Sequence, residues 1–360
     1  MPDSPWTEAH LRTHIQRAVE LELFTIPAYL CAYYSIRQAA SPAAQAAADA
    51  LFAIANQEMM HLEQACKVAH ALGQAPRLTG GAAPSYPHRV PYNSHDAVIT
   101  LGPATNAQIK CFMQIELPTW HDVYDAPDLP PQDTYETIGE LYHALMHGLD
   151  AVYGPEGTGE ILDRSATQVT GTFPDDKVAV TDLESAMAAL EQIVRQGEGG
   201  SPKDPHGTDP RELAHYYRLE ALVDTLAPGD LRPMVSNSAG LTWSTACGAL
   251  LDFFDATYSH VLRRLEASLQ GADKIAAPVG LMLSALQMLA THLVETPYQA
   301  NDRDASTGRT LTPRFRYTAT TPQQAYGKLD AAARESPNVQ AAASALRLVL
   351  ELDDRIAVTR

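Results

Sequence analysis

Basic side chains are scarce in this sequence. Its 360 residues include 26 Lys and Arg against 43 Asp and Glu, a formal net charge of −17 at pH 7. Nucleic acids and anionic membrane surfaces are bound through clustered Lys and Arg. We therefore expect neither kind of partner, whereas this charge is compatible with a neutral or cationic small molecule.

Cysteine is also rare. The four thiols, Cys31, Cys66, Cys111 and Cys247, stand far apart and within helical patterns. Such spacing suits neither a disulfide framework nor a thiolate zinc site. We therefore expect the four cysteines to be core residues of a protein in a reducing compartment. The first fourteen residues lack the basic start and apolar core of a signal peptide, and the expected location is cytoplasmic.

Alternating β-type patterns are nearly absent, and one apolar stretch approaches the length of a membrane span. That stretch, residues 275–294, contains Gln287, Thr291 and His292 and lacks flanking clusters of Lys or Arg. These features favour a buried helix over a transmembrane one. The expected partners therefore include no membrane.

Helical periodicity dominates the chain and predicts an all-α protein. Single cores seldom exceed about 250 to 300 residues, so we expect two units, 1–228 and 229–360, with the second packed on the first. A loop at 74–103 predicts a long crossover connection between bundle helices. Helices are predicted at 7–38, 43–73, 104–117, 133–151, 181–196, from about 210, and at 241–270, 275–295, 321–335 and 338–352.

A carboxylate and an imidazole lie on the apolar stripe of the second predicted helix. The stripe consists of Leu51, Ile54, Glu58, His61, Ala65, Val68 and Leu72. Positions three apart share a helix face, so Glu58 and His61 point together into the core. Because burying an unpaired carboxylate is costly, the pattern predicts pairing or metal coordination.

Two further helices place a Glu at a core position. Glu22 lies on the stripe of the first helix, whereas Glu20, about 200° further round, should face away. Glu116 shares a face with Ile109 and Phe112. Di-iron and di-manganese bundles take one Glu from each of two helices and a Glu-x-x-His from each of the other two, which matches Glu22, Glu116 and the Glu58–His61 pair.

The second Glu-x-x-His has two candidate sources. Glu140 and His143 have the spacing but lie on a polar face that solvent could cover. Alternatively Glu198 and His215 meet across a glycine-rich loop, in which glycine permits unusual backbone angles. We expect His215, rather than His143, to complete the site. Tyr29, on the face of Glu22, is either a hydrogen-bond donor to the ligands or an ordinary core aromatic.

Several ordered motifs resemble a known family. They are VELELFTIPAYLCAYYSI, QEMMHLEQACKVAHALG, SYPHRVPY, FMQIELPTW, IGELYHAL, QGEGG and LAHYYRL. The first two resemble the start of the ferroxidase centre of bacterioferritin-type proteins. The whole set, over residues 7–228, resembles the ferritin-like domain of violacein-pathway iminophenyl-pyruvate dimer synthases and their standalone relatives.

The resemblance implies a ferritin-like four-helix bundle with extra helices, a bound metal pair and a role in specialised-metabolite biosynthesis. The positions that match its motifs are Glu22, Glu58, His61, Glu116, Glu140, Glu198 and His215. The sequence departs from bacterioferritin because no contiguous second Glu-x-x-His lies on the expected fourth helix.

Carboxylate and imidazole donors favour iron or manganese. We therefore expect a cofactor of two Fe ions, with Mn as the alternative, in an oxidoreductase that acts on a small organic molecule with O2. Glu58 would bridge the ions, with Glu22 and His61 on one and Glu116, His215 and either Glu198 or Glu140 on the other.

Three other functions stay open at this point. The first is imine coupling of amino-acid-derived precursors, with an auxiliary metal site and a biosynthetic partner enzyme. The second is ferroxidase activity or iron storage, which is disfavoured because residues 229–360 would obstruct assembly of a ferritin-type cage. The third is a metal-free interaction protein. A redox partner and a homodimer are both compatible with the sequence.

Overall fold

The structure is a computed structural model. It describes residues 5–94, 97–117, 129–155, 157, 161, 168–170, 172–173, 179–197, 213–237, 241–271, 276–302, 308–334 and 336–358. The helices of the first part are α1 (Glu8–Ser35), α2 (Pro42–Ala71), α3 (Asn106–Ile115), α4 (Ile138–Tyr153), α5 (Leu183–Gly197) and α6 (His215–Glu220).

Side-chain caps set the ends of the first two helices. Thr7 accepts a hydrogen bond from the backbone N–H of His10 at the start of α1, and Ser41 caps α2, whose first residue is proline. Both are preferred N-terminal arrangements. After α2, Gly73 adopts a φ of +73°, the left-handed conformation that commonly ends a helix. The predicted bounds of both helices are confirmed to within a few residues.

Four helices close a bundle. α1 packs against α2 and α4, α2 packs against α5, and α4 packs against α5. The short helices α3 and α6 pack on each other, and α6 also contacts α2 and α5. The crossover at 74–103 connects α2 to α3 and includes an antiparallel pair of two-residue strands, β1 (His88–Arg89) and β2 (Val98–Ile99).

The fourth predicted helix starts later than expected. α4 begins at Ile138 rather than near 133, because Thr137 caps it by accepting the backbone N–H of Glu140. The carboxylate of Glu140 in turn accepts the backbone N–H of Glu136 at 2.8 Å. This exchange resembles a capping box, and it uses Glu140 to start the helix.

The remaining helices form a layer on the α1–α2 pair. They are α7 (Thr245–Leu269), α8 (Ala276–Leu281), a π-helical turn (Met282–Leu286), α9 (Gln287–Glu295), α10 (Pro322–Ala333) and α11 (Pro337–Val358). α7 contacts α2, and α9 contacts α1. Arg314 lies in the segment between α9 and α10 and links it to α7. Its Nη2 lies 2.7 Å from a carboxylate oxygen of Asp252 and 2.7 Å from one of Asp255.

The second half of the predicted apolar helix, α9, packs against α1, α7 and α11, in agreement with the expected buried helix. Leu289, Ala290 and Leu293 are fully buried on α9. Across the described ranges, no helix has the combination of length and apolar content that a membrane crossing needs. The four cysteines are free thiols; Cys111 is half-buried and the other three are buried.

Candidate metal centre

The first half of the candidate site comes from the interior of two long helices. α1 contributes Glu22, and α2 contributes Glu58 and His61, one turn apart. The side chains are 3%, 3% and 1% exposed. Nδ1 of His61 lies 3.6 Å from Oε2 of Glu22 and 3.6 Å from Oε1 of Glu58. The apolar stripes around them explain this placement, because they fix which face of each helix turns inward.

The second half comes from the ends of two short helices. Glu116 is the residue that follows α3, and His215 is the first residue of α6; both are buried. Nδ1 of His215 lies 2.9 Å from Oε1 of Glu58 and 3.6 Å from Oε2 of Glu116. Glu58 therefore takes part in both halves.

Two overlapping groups of donor atoms result. Glu22, Glu58 and His61 each offer one ligand atom within 4.8 Å of the others, and so do Glu58, Glu116 and His215. The imidazole rings of His61 and His215 stack with centroids 5.5 Å apart. The two groups are neighbours that share one carboxylate.

Hydroxyl groups hold all three carboxylates. Tyr142 on α4 donates to Oε1 of Glu22, and Tyr29 on α1 donates to Oε1 of Glu116. Thr25 donates to Oε2 of Glu58. Each hydroxyl uses one carboxylate oxygen and leaves the other facing an imidazole. Such outer contacts fix the orientation of metal-binding carboxylates.

Each imidazole has an amide partner on its far side. Nε2 of His61 lies 3.0 Å from Oε1 of Gln196, and Nε2 of His215 lies 3.2 Å from Oε1 of Gln57. Arg218 also donates to Oε1 of Gln57. Since arginine donates only, this oxygen must accept, and His215 must therefore carry a proton on Nε2. In its neutral form His215 then has a lone pair on Nδ1, the atom facing the carboxylates.

The local charges also favour a cation. Burial and the neighbouring Glu58 raise the pKa of Glu22 to about 7. Burial alone would raise the pKa of Glu58 and lower those of the imidazoles. Contacts with His215 and His61 instead hold the pKa of Glu58 well below its usual range, and the carboxylates raise the pKa of His61 to about 10 and that of His215 above its usual value. Protons thus compensate part of the negative charge of the metal-free cluster.

The donor set fits a pair of divalent metal ions. Among the described atoms, Nδ1 of His215 is buried without a hydrogen bond, although Oε1 of Glu58 lies 2.9 Å away. Three carboxylates and two imidazoles, converging in a buried space, match the donors that iron and manganese take in proteins. Glu58 belongs to both donor groups and would help to hold both ions.

Five of the seven residues predicted from the sequence meet here: Glu22, Glu58, His61, Glu116 and His215. Glu140 is a correction: it lies in the first turn of α4, where its carboxylate accepts the backbone N–H of Glu136. Glu198 lies outside the described residues. It follows Gly197, where a Cβ built on the backbone would lie 3.9 Å from Oε2 of Glu116. α5 therefore ends beside the cluster, and Glu198 stays a predicted ligand.

Other predicted placements agree with the structure. His215 lies at the cluster, whereas His143 is buried on α4 outside both donor groups. Glu20 faces away, and its carboxylate accepts hydrogen bonds from Gln16 and Tyr92. Tyr29 donates a hydrogen bond to the carboxylate of Glu116, which is the first of the two roles considered for it.

The sequence did not indicate the other outer contacts. Tyr142, Thr25, Gln57, Gln196 and Arg218 were not predicted. A weak signal exists for Gln57, which directly precedes Glu58, and for Tyr142, which lies among the apolar residues of α4.

The sequence matches relatives that are much longer proteins. It is 26% identical over 300 residues to dichlorochromopyrrolate synthase of Lentzea aerocolonigenes, covering 71% of this chain and 29% of that protein. It is 24% identical over 342 residues to 2-imino-3-(indol-3-yl)propanoate dimerase of Chromobacterium violaceum, covering 81% and 33%. The chain thus spans about a third of the length of these curated relatives.

A solved structure matches the fold over most of both chains. It is a ferritin-like protein from Caulobacter vibrioides, with a TM-score of 0.61 and 26% identity, covering 81% of this chain and 96% of that one. The model of the family described as Ferritin-like matches residues 15–224, which include the five residues of the cluster. The chain belongs to the ferritin-like family, with relatives in specialised-metabolite biosynthesis.

Proposed function

We propose that this protein is a non-haem di-iron oxidoreductase that acts on a small organic molecule with O2. The observation that carries the proposal is the pair of buried donor groups sharing Glu58. One ion would take Glu22, Glu58 and His61, and the other Glu58, Glu116 and His215, with Glu198 as a further predicted ligand. An iron pair, when bound, supplies electron transfer to O2.

The protein's own residues would orient and protect this centre. Tyr29, Tyr142 and Thr25 hold one oxygen of each carboxylate, and Gln57 and Gln196 hold the far side of each imidazole. These contacts keep the ligand atoms aimed at the same small space before any ion arrives. The burial of the cluster also limits the access of water.

A second candidate function is the oxidative coupling of two imine molecules. The name of one relative favours it, since that name describes the dimerisation of an indolyl imino acid. Forming one C–C bond between two molecules, each losing a C–H hydrogen, releases two electrons and two protons. With O2 as the acceptor these reduce it to hydrogen peroxide, so the reaction balances without another reductant.

The first test measures O2 consumption. Protein loaded anaerobically with Fe(II) is mixed with buffer containing O2 in an oxygen electrode, alongside the Glu58→Ala and Glu20→Gln variants. We expect O2 uptake by the native protein and Glu20→Gln but not by Glu58→Ala. Equal uptake by all three would contradict the proposed centre.

The second test separates the two candidate functions. An amino-acid oxidase generates the imine of tryptophan in the presence of the protein, and mass spectrometry then measures coupled product. Product formed with native protein but not with Glu58→Ala would assign coupling to the metal centre. Equal product from both would make the metal auxiliary, and absence of product would leave another small organic molecule as the substrate.

A further inference from the structure

A groove separate from the candidate metal centre lies where the end of α1 meets α9. Tyr33 and Tyr34 form its α1 side, and Thr291 and Val294, which share one face of α9, form the other side. Tyr33 follows Glu22 by 11 residues, which is about 17 Å along an α-helix. The groove and the metal centre are therefore different places on the same helix.

The groove has the size of a site for a small organic molecule. Its volume is about 540 Å³, and ligand sites typically occupy about 300 to 1,000 Å³. The floor is buried, since Tyr34 is 8% exposed and Val294 is 2% exposed. Arg37, Gln38 and Gln287 form an exposed polar rim. This lining suits a molecule with an apolar body and a polar group.

Two arginines line the groove, and backbone pairing places them there. Ile36 and Leu231 form an antiparallel bridge, and two backbone hydrogen bonds of 2.7 Å flank it. Arg37 and Arg232 each follow one of these bridged residues. Because successive residues of extended backbone point to opposite faces, both arginine side chains lie on the same face of the bridge. The pairing thus holds two positive charges beside one groove.

Contacts with the backbone use only part of each guanidinium group. Nη1 of Arg232 donates to the carbonyl oxygens of Tyr34 at 3.1 Å and Ile36 at 2.6 Å. Nη1 of Arg37 lies 3.5 Å from the carbonyl oxygen of Gly229. An arginine has five N–H donors in a planar fork, which recognises carboxylates and phosphates through paired hydrogen bonds.

Among the described residues, nearby carboxylates compensate these two charges only in part. Oε1 of Glu295 lies 3.9 Å from Nη2 of Arg232, and the Glu295 side chain is 58% exposed, so this pair is weak. The carboxylate of Asp230 instead accepts hydrogen bonds from Ser41 and from the backbone N–H of Ala227. In a chain with a formal net charge of −17, two weakly paired arginines in one groove need a physical reason. A bound anion supplies such a reason.

We propose that this groove binds a small organic carboxylate, whose charged group meets Arg37 and Arg232 and whose apolar body lies on Tyr34 and Val294. A single negative charge fits better than two, because Glu295 and the carbonyl ends of α1 and α9 add negative potential here. The inference does not rest on the proposed metal centre.

The test uses two probes of the same shape. Phenylpropionate carries a carboxylate, and phenylpropionamide replaces it with a neutral amide. Calorimetric titration of the native protein should show phenylpropionate binding about 10 to 100 times more tightly, the effect of hydrogen bonds to a charged group. Inorganic phosphate should bind more weakly than phenylpropionate, because it lacks the apolar body. Equal binding of the two organic probes, no binding of phenylpropionate, or phosphate binding as tight as phenylpropionate would overturn the proposal.

A pair of arginine variants checks which charge is responsible. Arg37→Gln should lower the affinity for phenylpropionate about tenfold and leave the affinity for phenylpropionamide unchanged. Arg37 is the better choice for this test, because Arg232 also holds the end of α1. Arg334→Gln removes the same charge from an exposed ion pair on α10 and should bind both probes as the native protein does. Unchanged affinity in Arg37→Gln, or an equal loss in both variants, would refute the assignment.

Two opposite charges at one position check the location. Thr291 lines the groove from an exposed position on α9. Thr291→Glu should weaken phenylpropionate binding and Thr291→Lys should strengthen it, each by about twofold to fivefold, as expected for charges in contact with solvent. Circular dichroism should show the same helix content in both variants. Equal affinities for phenylpropionate in the two folded variants would place the carboxylate elsewhere and contradict the proposal.

Discussion

The two halves of the candidate metal centre have matching chemistry but different supports. Each half has a glutamate held by a tyrosine and a histidine held by a glutamine, and the two share Glu58. Glu22, Glu58 and His61 lie inside helices of 28 and 30 residues. Glu116 and His215 lie at the ends of helices of 10 and 6 residues.

This difference indicates which half should bind its metal ion more tightly and which half can change its geometry more easily. Side chains within long, packed helices lose little further freedom on binding an ion, whereas residues at helix ends are held by fewer backbone hydrogen bonds. We therefore expect the half with His61 to bind its ion first and more tightly. We expect the half with His215 to be the one whose geometry changes more when a ligand binds.

Removing the shared carboxylate should have the largest effect. Glu58→Ala takes a ligand from both groups, so metal content should fall from about two ions per chain to nearly none. Glu20→Gln is the matched control, because Glu20 faces Gln16 and Tyr92. Elemental analysis of protein expressed with added iron provides the measurement. One ion retained in Glu58→Ala would mean that Glu58 is not shared.

Removing one histidine should separate the halves. In anaerobic titrations with Fe(II), His215→Ala should lose the weaker binding step and keep the tighter one, and His61→Ala should lose the tighter step. His143→Ala, a buried histidine outside the donor groups, should retain both. Loss of the tighter step in His215→Ala would reverse our ranking of the two halves.

The glutamines should have a smaller effect. Gln57→Leu and Gln196→Leu each leave the ligands in place but remove the acceptor for one imidazole Nε2. Loss of such a contact typically weakens metal binding about 10- to 100-fold. Gln57→Leu should weaken only the second step and Gln196→Leu only the first, as judged by calorimetry. An equal effect of both variants on both steps would show that the halves are not separable.

The sequence predicted the first half better than the second for a physical reason. Glu22, Glu58 and His61 lie on continuous apolar stripes, and periodicity indicates an inward face directly. His215 begins a six-residue helix, so it has little periodicity of its own, and it was predicted together with the competing His143. Glu140 was misassigned because its spacing to His143 matched the motif, whereas Thr137-x-x-Glu140 was the capping signal.

Contacts between helices could not be predicted in this way. Nothing on α4 alone indicates that Tyr142 meets Glu22, since that contact depends on how α4 packs on α1. The helix bounds of α1, α2 and α7 followed from local pattern, but the π-helical turn did not, because it interrupts an otherwise regular apolar helix. The division of the chain at residue 228 stays a prediction.

Metal binding should also depend on pH. The pKa of His61 is raised to about 10, so its imidazole is protonated in the metal-free protein at neutral pH, and an ion must displace that proton. Because the pKa of Glu22 is about 7, its carboxylate takes up a second proton as the pH falls below neutrality.

The affinity of the first metal-binding step should therefore fall by about tenfold per pH unit between pH 9 and 8, and more steeply below pH 7. Calorimetry in buffers of different ionisation enthalpy counts the protons released, and constant affinity across this range would contradict the assigned charge states.

Anomalous X-ray diffraction at the iron absorption edge, from crystals of iron-loaded protein, tests the central claim most directly. We predict two peaks, one within bonding distance of Glu22, Glu58 and His61 and the other within bonding distance of Glu58, Glu116 and His215. A single peak, or iron bound only elsewhere on the protein, would contradict a paired centre that shares Glu58.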